Sequence, residues 1–164
     1  MNKITPFFWF DTQAEEAAKF YVSVFPNSKI VATTHYDEAS AIASGMKAGQ
    51  VMTVGFELDG QHFTALNGGK PEGWNTDFTG AISFVVNCKD QAEVDHYWEI
   101  LGAGGQTGVC GWIYHDKFGI TWQIVPEILP KLLTDPDKAK ASRAMAAMLK
   151  MTKIEIADIE AAAK

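Results

Sequence analysis

The side chains that could bind a metal are few in this chain of 164 residues. A zinc site on a helix needs two histidines one turn apart, as in HExxH or HxxxH, and neither spacing occurs in the sequence. Each histidine is therefore predicted to lie at the surface or in a cap and not to act as a metal ligand. The four histidines are His35, His62, His96 and His115.

The two cysteines, Cys88 and Cys110, form no CxxC motif and are predicted to be free, reduced thiols. Cys110 is a candidate catalytic nucleophile, since a thiol with a lowered pKa attacks electrophilic carbons. The sequence places no histidine or other base beside it, and a buried free cysteine usually has a packing role. The packing role is the favoured interpretation.

Gln123 is the most informative polar residue, because it lies inside the apolar stretch ITWQIVP. The segment CGWIYHDKFGITWQIVP, Cys110 to Pro126, is typical of a β-hairpin whose turn is HDKFG. A polar side chain in such a strand must find a partner. Gln123 either orients a ligand inside a cavity or ties neighbouring strands or the C-terminal segment together, and the first role is favoured.

The elements that must position these residues repeat along the chain. In the first half, a T-x-x-E capping box at Thr12 and Glu15 is predicted to start a helix with one apolar face. Asp59-Gly60 is typical of a tight hairpin turn. The stretch from Asp37 to Gln50 is expected to be a mobile loop with a short helical piece. The predicted strands are Thr5 to Phe10, Lys29 to Tyr36, Val51 to Leu58 and Gln61 to Asn67.

The second half has the same order: strand, helix, then three strands. A strand from Ala81 to Asn87 precedes a helix that Asp90 and Glu93 would cap, and the hairpin ends the module. Shifts of 77 or 78 residues align the two helices, and a shift of 58 places Ala65 on Gln123. Residues 129–164 lie outside the repeat, with helices expected from Asp135-Pro136 and from Ile154 to Ala163.

Composition limits the partners and the location. The net charge is -6, and the 14 lysines and arginines form no dense cluster, which argues against nucleic acid or an anionic membrane as partner. No apolar run is long enough to cross a bilayer, and the start MNKITPFFWFD lacks the apolar core of a signal peptide. We therefore expect a cytoplasmic protein.

Four segments resemble the PhnB-like branch of the vicinal oxygen chelate superfamily, a branch that carries the domain name demethylubiquinone 3-methyltransferase. The segments are ITPFFWFDTQAEEAAKFYVSVFPNSKI, VGFELDGQHFTALNGG, ISFVVNCKDQAEVDHYWEIL and CGWIYHDKFGITWQIVP, and the tail MLKMTKIEIADIEAA fits the branch too. The resemblance implies an α+β fold of tandem βαβββ modules, each with a curved half-barrel sheet as in glyoxalases, and a homodimer. The expected organisation is a glyoxalase-like domain over residues 1–128 (modules 1–68 and 81–128, linker 69–80) and a C-terminal helical extension over residues 129–164.

Metal-dependent members of this superfamily place two ligands in each module, and the resemblance carries these positions onto Thr5, Ala65, Ala81 and Gln123. Divalent metals in such sites need imidazole or carboxylate ligands. The metal centre is therefore predicted to be absent, and a register slip to Ile4, Pro6 or Ile82 would not restore it. The family name implies S-adenosylmethionine, but the first strand runs into FDTQAEE without the glycines of a usual cofactor loop.

Aromatic residues along the strands have two interpretations, ordinary core or the lining of a cavity with a few polar groups. We expect a small-molecule ligand, apolar or aromatic, in a metal-free site. The alternatives are a metal-free enzyme that uses Gln123 and Asn67, a metal-dependent glyoxalase, dioxygenase or resistance protein, and a methyltransferase. The pocket candidates are Phe7, Trp9, Phe56, Asn67, Trp74, Trp112 and Gln123.

Overall fold

A computed structural model of the chain describes residues 3–73 and 76–164. The chain divides into two compact units, residues 1–77 and 78–164. The boundary falls inside the segment 69–80 that the sequence predicts to be a linker. Among the described residues, the helices are all too short or too polar to cross a membrane.

The first unit is a four-stranded sheet with one long helix on one face. Its sheet order is β1-β4-β3-β2, with β1 parallel to β4 and the other pairs antiparallel. The Asp59-Gly60 turn has φ angles of +44° and +81°, as the predicted tight hairpin requires. The elements are β1 (Phe7–Phe10), α1 (Ala14–Val24), β2 (Lys29–His35), α2 (Glu38–Ser44), β3 (Val51–Leu58) and β4 (Gln61–Asn67).

The apolar side of α1 forms the core of this unit with one face of the sheet. Its buried residues contact β3 and β4, whose alternate side chains point toward the helix. The buried residues of α1 are Ala14, Ala17, Ala18, Tyr21 and Val24. The predicted short helical piece is α2, which has a capping box formed by Asp37 and Ser40.

The predicted capping box at Thr12 and Glu15 is wrong. Helix α1 begins at Ala14, and no side chain of the preceding turn caps it. The Ala14 N–H instead donates to Asn67 Oδ1 at 2.7 Å, and Asn67 Nδ2 donates to the Val51 carbonyl at 3.0 Å. The buried Asn67 amide therefore holds the helix, β4 and β3 together.

The second unit repeats the first and adds a helical segment. Its sheet order is β5-β8-β7-β6, with β5 parallel to β8 and the other pairs antiparallel. The elements are β5 (Phe84–Cys88), α3 (Gln91–Gly102), β6 (Gln106–Thr107), β7 (Trp112–His115), β8 (Trp122–Pro126), α4 (Ile128–Leu133), α5 (Lys138–Met148) and α6 (Ile156–Ala162). Two mixed sheets that do not close into barrels, with helices after them, confirm the predicted α+β class and its glyoxalase-like repeat.

Helix α3 has the predicted cap: Asp90 Oδ1 accepts from the Glu93 N–H at 3.0 Å, and Glu93 Oε2 accepts from the Lys89 N–H at 2.9 Å. The C-terminal helices differ from their predicted starts. Helix α4 was not predicted. Helix α5 begins at Lys138 and is capped by Asp137, whose carboxylate accepts from the Ala139 and Lys140 N–H groups at 2.9 and 3.2 Å.

The caps of α1 give the first prediction. Asn67→Ala is expected to lower the free energy of unfolding by about 1–3 kcal/mol, because the buried Ala14 N–H and Val51 carbonyl lose their partners. Thr12→Ala is expected to change it by less than about 0.5 kcal/mol, since Thr12 is exposed and does not cap the helix. Urea denaturation measures both variants. A larger decrease in the free energy of unfolding for Thr12→Ala than for Asn67→Ala would show that Thr12 caps the helix after all.

Candidate functional site

Each long helix covers one face of its own sheet and leaves the other face uncovered by that helix. In the second unit, Val86, Cys88, Ile113 and Ile124 are buried on the α3 side. Because strand side chains alternate, the neighbouring residues point to the opposite face. We call this opposite face the uncovered face of the second sheet, and its residues are Val85, Asn87, Trp112, Gln123 and Val125.

Gln123 lies at the centre of this face. It is half-buried in β8, and the strand register places it between Val85 of β5 and Trp112 of β7. Its Nε2 donates to Ser83 Oγ at 2.9 Å, so the amide also ties β8 to the start of β5. Among the described residues, no group donates a hydrogen bond to Gln123 Oε1. The amide is therefore fixed at one end and can accept a hydrogen bond at the other.

The sequence did not predict Ser83 as the partner of Gln123. The two residues are 40 positions apart, so only the parallel pairing of β5 with β8 brings them together. Strand alternation puts Ser83 on the same side as Val85, and that is the one signal in the sequence that could have suggested it.

The hairpin turn fixes which face Gln123 occupies. Asp116 Oδ1 accepts from the Phe118 and Ile120 N–H groups at 2.8 and 3.0 Å, and its Oδ2 accepts from Trp122 Nε1 at 2.8 Å. Trp122 is thereby held on the α3 side, where it is 3% exposed. The next residue along the strand, Gln123, must then point to the uncovered face.

Two aromatic pocket candidates lie on the uncovered face of the first sheet. Phe7 is 57% exposed, and Trp9 is half-buried. The Trp9 indole N–H donates to the Gly69 carbonyl at 2.9 Å. Its ring lies against Gly68, where a Cβ would be 2.2 Å from the ring, so this position requires glycine. Trp9 therefore anchors the segment that follows β4.

The structure gives two other pocket candidates of the first unit structural roles. Phe56 is 1% exposed and packs among Tyr21, Phe8 and Phe63 on the α1 side of the sheet. Asn67 is 2% exposed, and its amide bonds to α1 and β3 as described above. Neither side chain faces the uncovered side. Trp74 lies outside the described residues.

The expected ligand position on β4 also needs correction. Ala65 is fully buried on the α1 side, whereas Gln123 points to the uncovered face, so the two do not correspond. A slip of one residue along a strand moves a side chain to the other face. The first-sheet counterparts of Gln123 are Thr64 and Leu66, at shifts of 59 and 57 residues instead of 58.

Replacing Ala65 by Thr64 or Leu66 still supplies no imidazole or carboxylate at the expected ligand positions. Thr5 and Ala81 are exposed and lie before the first strands of their units. In residues 3–73 and 76–164, no group of three or more His, Cys, Asp and Glu side chains is placed to hold a metal ion.

The histidines have other neighbours. His62 Nε2 lies 3.1 Å from Glu57 Oε1, and His115 Nε2 lies 3.0 Å from Gln106 Oε1. The ring of His96 contacts the edge of Tyr97, and His35 is exposed in β2.

The two thiols are free and differ in their surroundings. Cys110 is half-buried, and its Sγ lies 3.6 Å from the Met148 carbonyl, which it can donate to. Cys88 is fully buried; burial, together with the carboxylates of Glu93 and Asp90, raises the pKa of its thiol to about 12. A thiol that keeps its proton in this way does not act as a nucleophile near neutral pH.

The usual cradle for a nucleotide cofactor is a glycine loop that leads from a strand into the N-terminus of a helix. In the first unit the N-terminal amide of α1 is already bonded to Asn67. The glycine-containing segment follows β4 instead of preceding a helix, and Gly68 is filled by the Trp9 ring. These residues do not fit S-adenosylmethionine in that mode.

Comparison with known proteins gives a family and a fold. The family model described as 3-demethylubiquinone-9 3-methyltransferase matches residues 2–125. The PhnB protein from Bacillus cereus is 32% identical over 76% of this chain and 99% of its own, with a TM-score of 0.65. Protein PA1353 from Pseudomonas aeruginosa, 16% identical over 77% of this chain and 98% of its own, has a TM-score of 0.59 and shows likeness of fold. No curated protein matches the chain.

The raised pKa of Cys88 gives a prediction about alkaline stability. From about pH 9 to 12 the unfolded thiol ionises, whereas the folded thiol keeps its proton. The unfolded state therefore binds fewer protons, and the free energy of unfolding falls as the pH rises, by up to about 1.36 kcal/mol per pH unit. Below pH 9 the thiol contributes no slope.

Denaturant titrations at pH 8 to 11 on wild type and Cys88→Ala measure this effect. Cys88→Ala is expected to have the shallower decline. Parallel curves for the two proteins would contradict the assignment to Cys88.

Proposed function

The chain belongs to the PhnB-like family described as 3-demethylubiquinone-9 3-methyltransferase, and from that premise we propose that it binds a small apolar or aromatic molecule on the uncovered face of the second sheet. One observation carries this proposal. Trp112 and Val85 flank a half-buried Gln123 whose Oε1 has no donor among the described residues. An apolar surface with one placed polar group is the usual composition of a small-molecule site.

The proposal places the protein in the vicinal oxygen chelate superfamily, because the tandem βαβββ units match that architecture. It also makes the site metal-free. The superfamily's ligand positions are occupied here by Thr5, Ala81 and Gln123, and on β4 by Thr64 or Leu66 in place of Ala65. Their side chains offer hydroxyl, amide and apolar groups only. Divalent metals need stronger ligands than these.

Binding or sequestration is favoured over catalysis. A metal-free enzyme that uses both Gln123 and Asn67 is disfavoured, because the Asn67 amide is buried and bonded to Ala14 and Val51. Methyl transfer would need a cofactor site of an unusual kind, since the glycine-containing segment after β4 does not lead into a helix. A name shared within a family does not by itself assign a reaction to a site.

The binding proposal is tested with two matched ligands, 1-naphthol and 1-methoxynaphthalene, which share a ring system and differ in the hydroxyl donor. Wild type is expected to bind 1-naphthol about twofold to twelvefold more tightly, since a net hydrogen bond to Gln123 contributes about 0.5–1.5 kcal/mol. Gln123→Leu, similar in size but without the acceptor, should bind the two ligands equally.

Isothermal titration measures the affinities, and amide chemical shifts locate the ligand. Gln61→Leu, an exposed glutamine of β4, is the control and should keep the preference. Retention of the preference in Gln123→Leu would remove Gln123 from the site. Shift changes that avoid Val85, Trp112 and Gln123 would overturn the location.

The same proposal includes a cytoplasmic homodimer. It also includes no binding to nucleic acid or membranes, because the net charge of -6 disfavours anionic partners. The edge strand β2 supports self-association, because it is exposed along its whole length and carries Ile30 and Val31 at 37% and 51% exposure. Open edges of this kind commonly pair with another strand.

Light scattering of Val31→Lys tests the dimer. The added charge is expected to raise the dimer dissociation constant at least tenfold, whereas Ile42→Lys, at an apolar residue of α2 that is 84% exposed, should leave it unchanged. A monomeric wild type, or an unchanged Val31→Lys dimer, would contradict pairing through β2.

A further inference from the structure

The C-terminal extension, residues 129–164, builds a small core against the end of β8. Its helices bury Leu132, Ala144 and Ile159 together with Ile154. Val125 of β8 packs against this cluster. The extension lies outside residues 2–125, the part of the chain that the family model matches.

Hydrogen bonds and an ion pair tie the segment 153–156 of the extension to α3. Gln91, the first residue of α3, donates through Nε2 to the Ile154 carbonyl at 3.1 Å and accepts at Oε1 from the Ile156 N–H at 2.8 Å. Lys153 forms ion pairs with Asp95 and Glu155. Gln91 therefore fixes the position of the segment 153–156.

The same segment holds the start of the hairpin. The N–H groups of Cys110 and Gly111 donate to the carbonyls of Met151 and Thr152, both at 2.7 Å. The Gly111 carbonyl in turn accepts from the Ile124 N–H at 2.8 Å. Trp112, which follows Gly111, flanks Gln123 on the uncovered face. The extension therefore contacts the proposed site at two places: the Cys110–Gly111 backbone, which precedes Trp112, and the side chain of Val125.

We propose that the C-terminal extension forms one wall of the binding site and selects the ligand's apolar end, an inference that rests on the proposed function. Val125 points to the same face as Gln123, two residues further along β8, about 7 Å away at the rise of a strand. The extension packs at Val125, so the site is polar at Gln123 and apolar at its far end. The ligand class that fits is a phenol or similar hydrogen-bond donor with an apolar group opposite the donor.

Gln91 acts in this arrangement as a positioning residue, because it contacts the extension and not the ligand. Arg143 offers a matched control. It also makes two hydrogen bonds from a side chain to the extension's backbone, to the Ala162 and Ala163 carbonyls at 3.1 and 3.3 Å, but both lie within the extension. Gln91→Ala removes the two side-chain bonds that attach residues 154–156 to α3, and Arg143→Ala leaves that attachment intact.

The test uses phenol, 4-ethylphenol and 4-butylphenol with wild type, Gln91→Ala and Arg143→Ala. Affinity for wild type and Arg143→Ala is expected to rise roughly fourfold per added methylene, as burial of each methylene against an apolar wall predicts. In Gln91→Ala the rise should fall below about twofold per methylene, with the affinity for phenol itself unchanged. Amide hydrogen exchange of residues 151–156 should quicken in Gln91→Ala alone.

The outcomes separate the two proposals. If wild type binds none of the phenols or naphthols, both the proposed function and the wall are overturned. If Gln91→Ala loosens residues 151–156 but keeps the wild-type dependence on chain length, the wall alone is overturned. If hydrogen exchange in Gln91→Ala stays unchanged, the phenol series is measured on Gln91→Ala/Lys153→Ala, which also lacks the Lys153 ion pairs. A wild-type dependence of affinity on chain length in that double variant overturns the wall.

Discussion

Asp116 carries a carboxylate at a position that is 2% exposed, where an unpartnered charge would be very unfavourable. Two backbone N–H groups of the turn and the Trp122 indole N–H donate to it. Bonds from N–H groups to a carboxylate are stronger than those between neutral groups. These three donors lie within six residues of Asp116, so they fix the register of the hairpin through local contacts. That register sends Trp122 toward α3 and Gln123 to the uncovered face, and the proposed site follows from it.

The first unit positions its hairpin and helix with a different buried polar residue. Its hairpin turn needs no buried charge, since Asp59-Gly60 adopts the required positive φ angles. A buried polar side chain of this unit, Asn67 at the end of β4, bonds to the helix and to β3. The two repeats therefore share a topology and differ in chemistry. A polar amide with an open acceptor on an uncovered face belongs to the second unit, through Gln123.

The sequence predicted the order of elements well because apolar periodicity and turn residues are local properties. The strands β3 and β4, the cap of α3 and the hairpin that bears Gln123 all follow from adjacent residues. Long-range partners were not predictable in this way. The bond from Ala14 to Asn67 spans 53 residues, and that from Gln123 to Ser83 spans 40.

Errors of a single residue had large consequences for the site. Aligning the repeats with a shift of 58 placed Ala65 opposite Gln123, although the two side chains point to opposite faces of their sheets. Sequence comparison between repeats cannot resolve such a slip, because apolar residues occupy both faces of β4 near Ala65. The strand register resolves it through the pairs Phe8 with Ala65 and Val85 with Gln123.

The family name and the proposed site lead to different expectations, methyl transfer in one case and ligand binding in the other. The glycine loop that usually holds a nucleotide cofactor leads into a helix, and in α1 the first N–H, that of Ala14, already bonds to a buried side chain that also joins two strands. If a cofactor took the Ala14 N–H, the buried Asn67 Oδ1 would lose that donor. The uncovered face of the second sheet carries no such cost, since Gln123 can accept a ligand donor while Nε2 stays bonded to Ser83. Binding at this face would require no rearrangement of the core, and for that reason the proposed function places the ligand there.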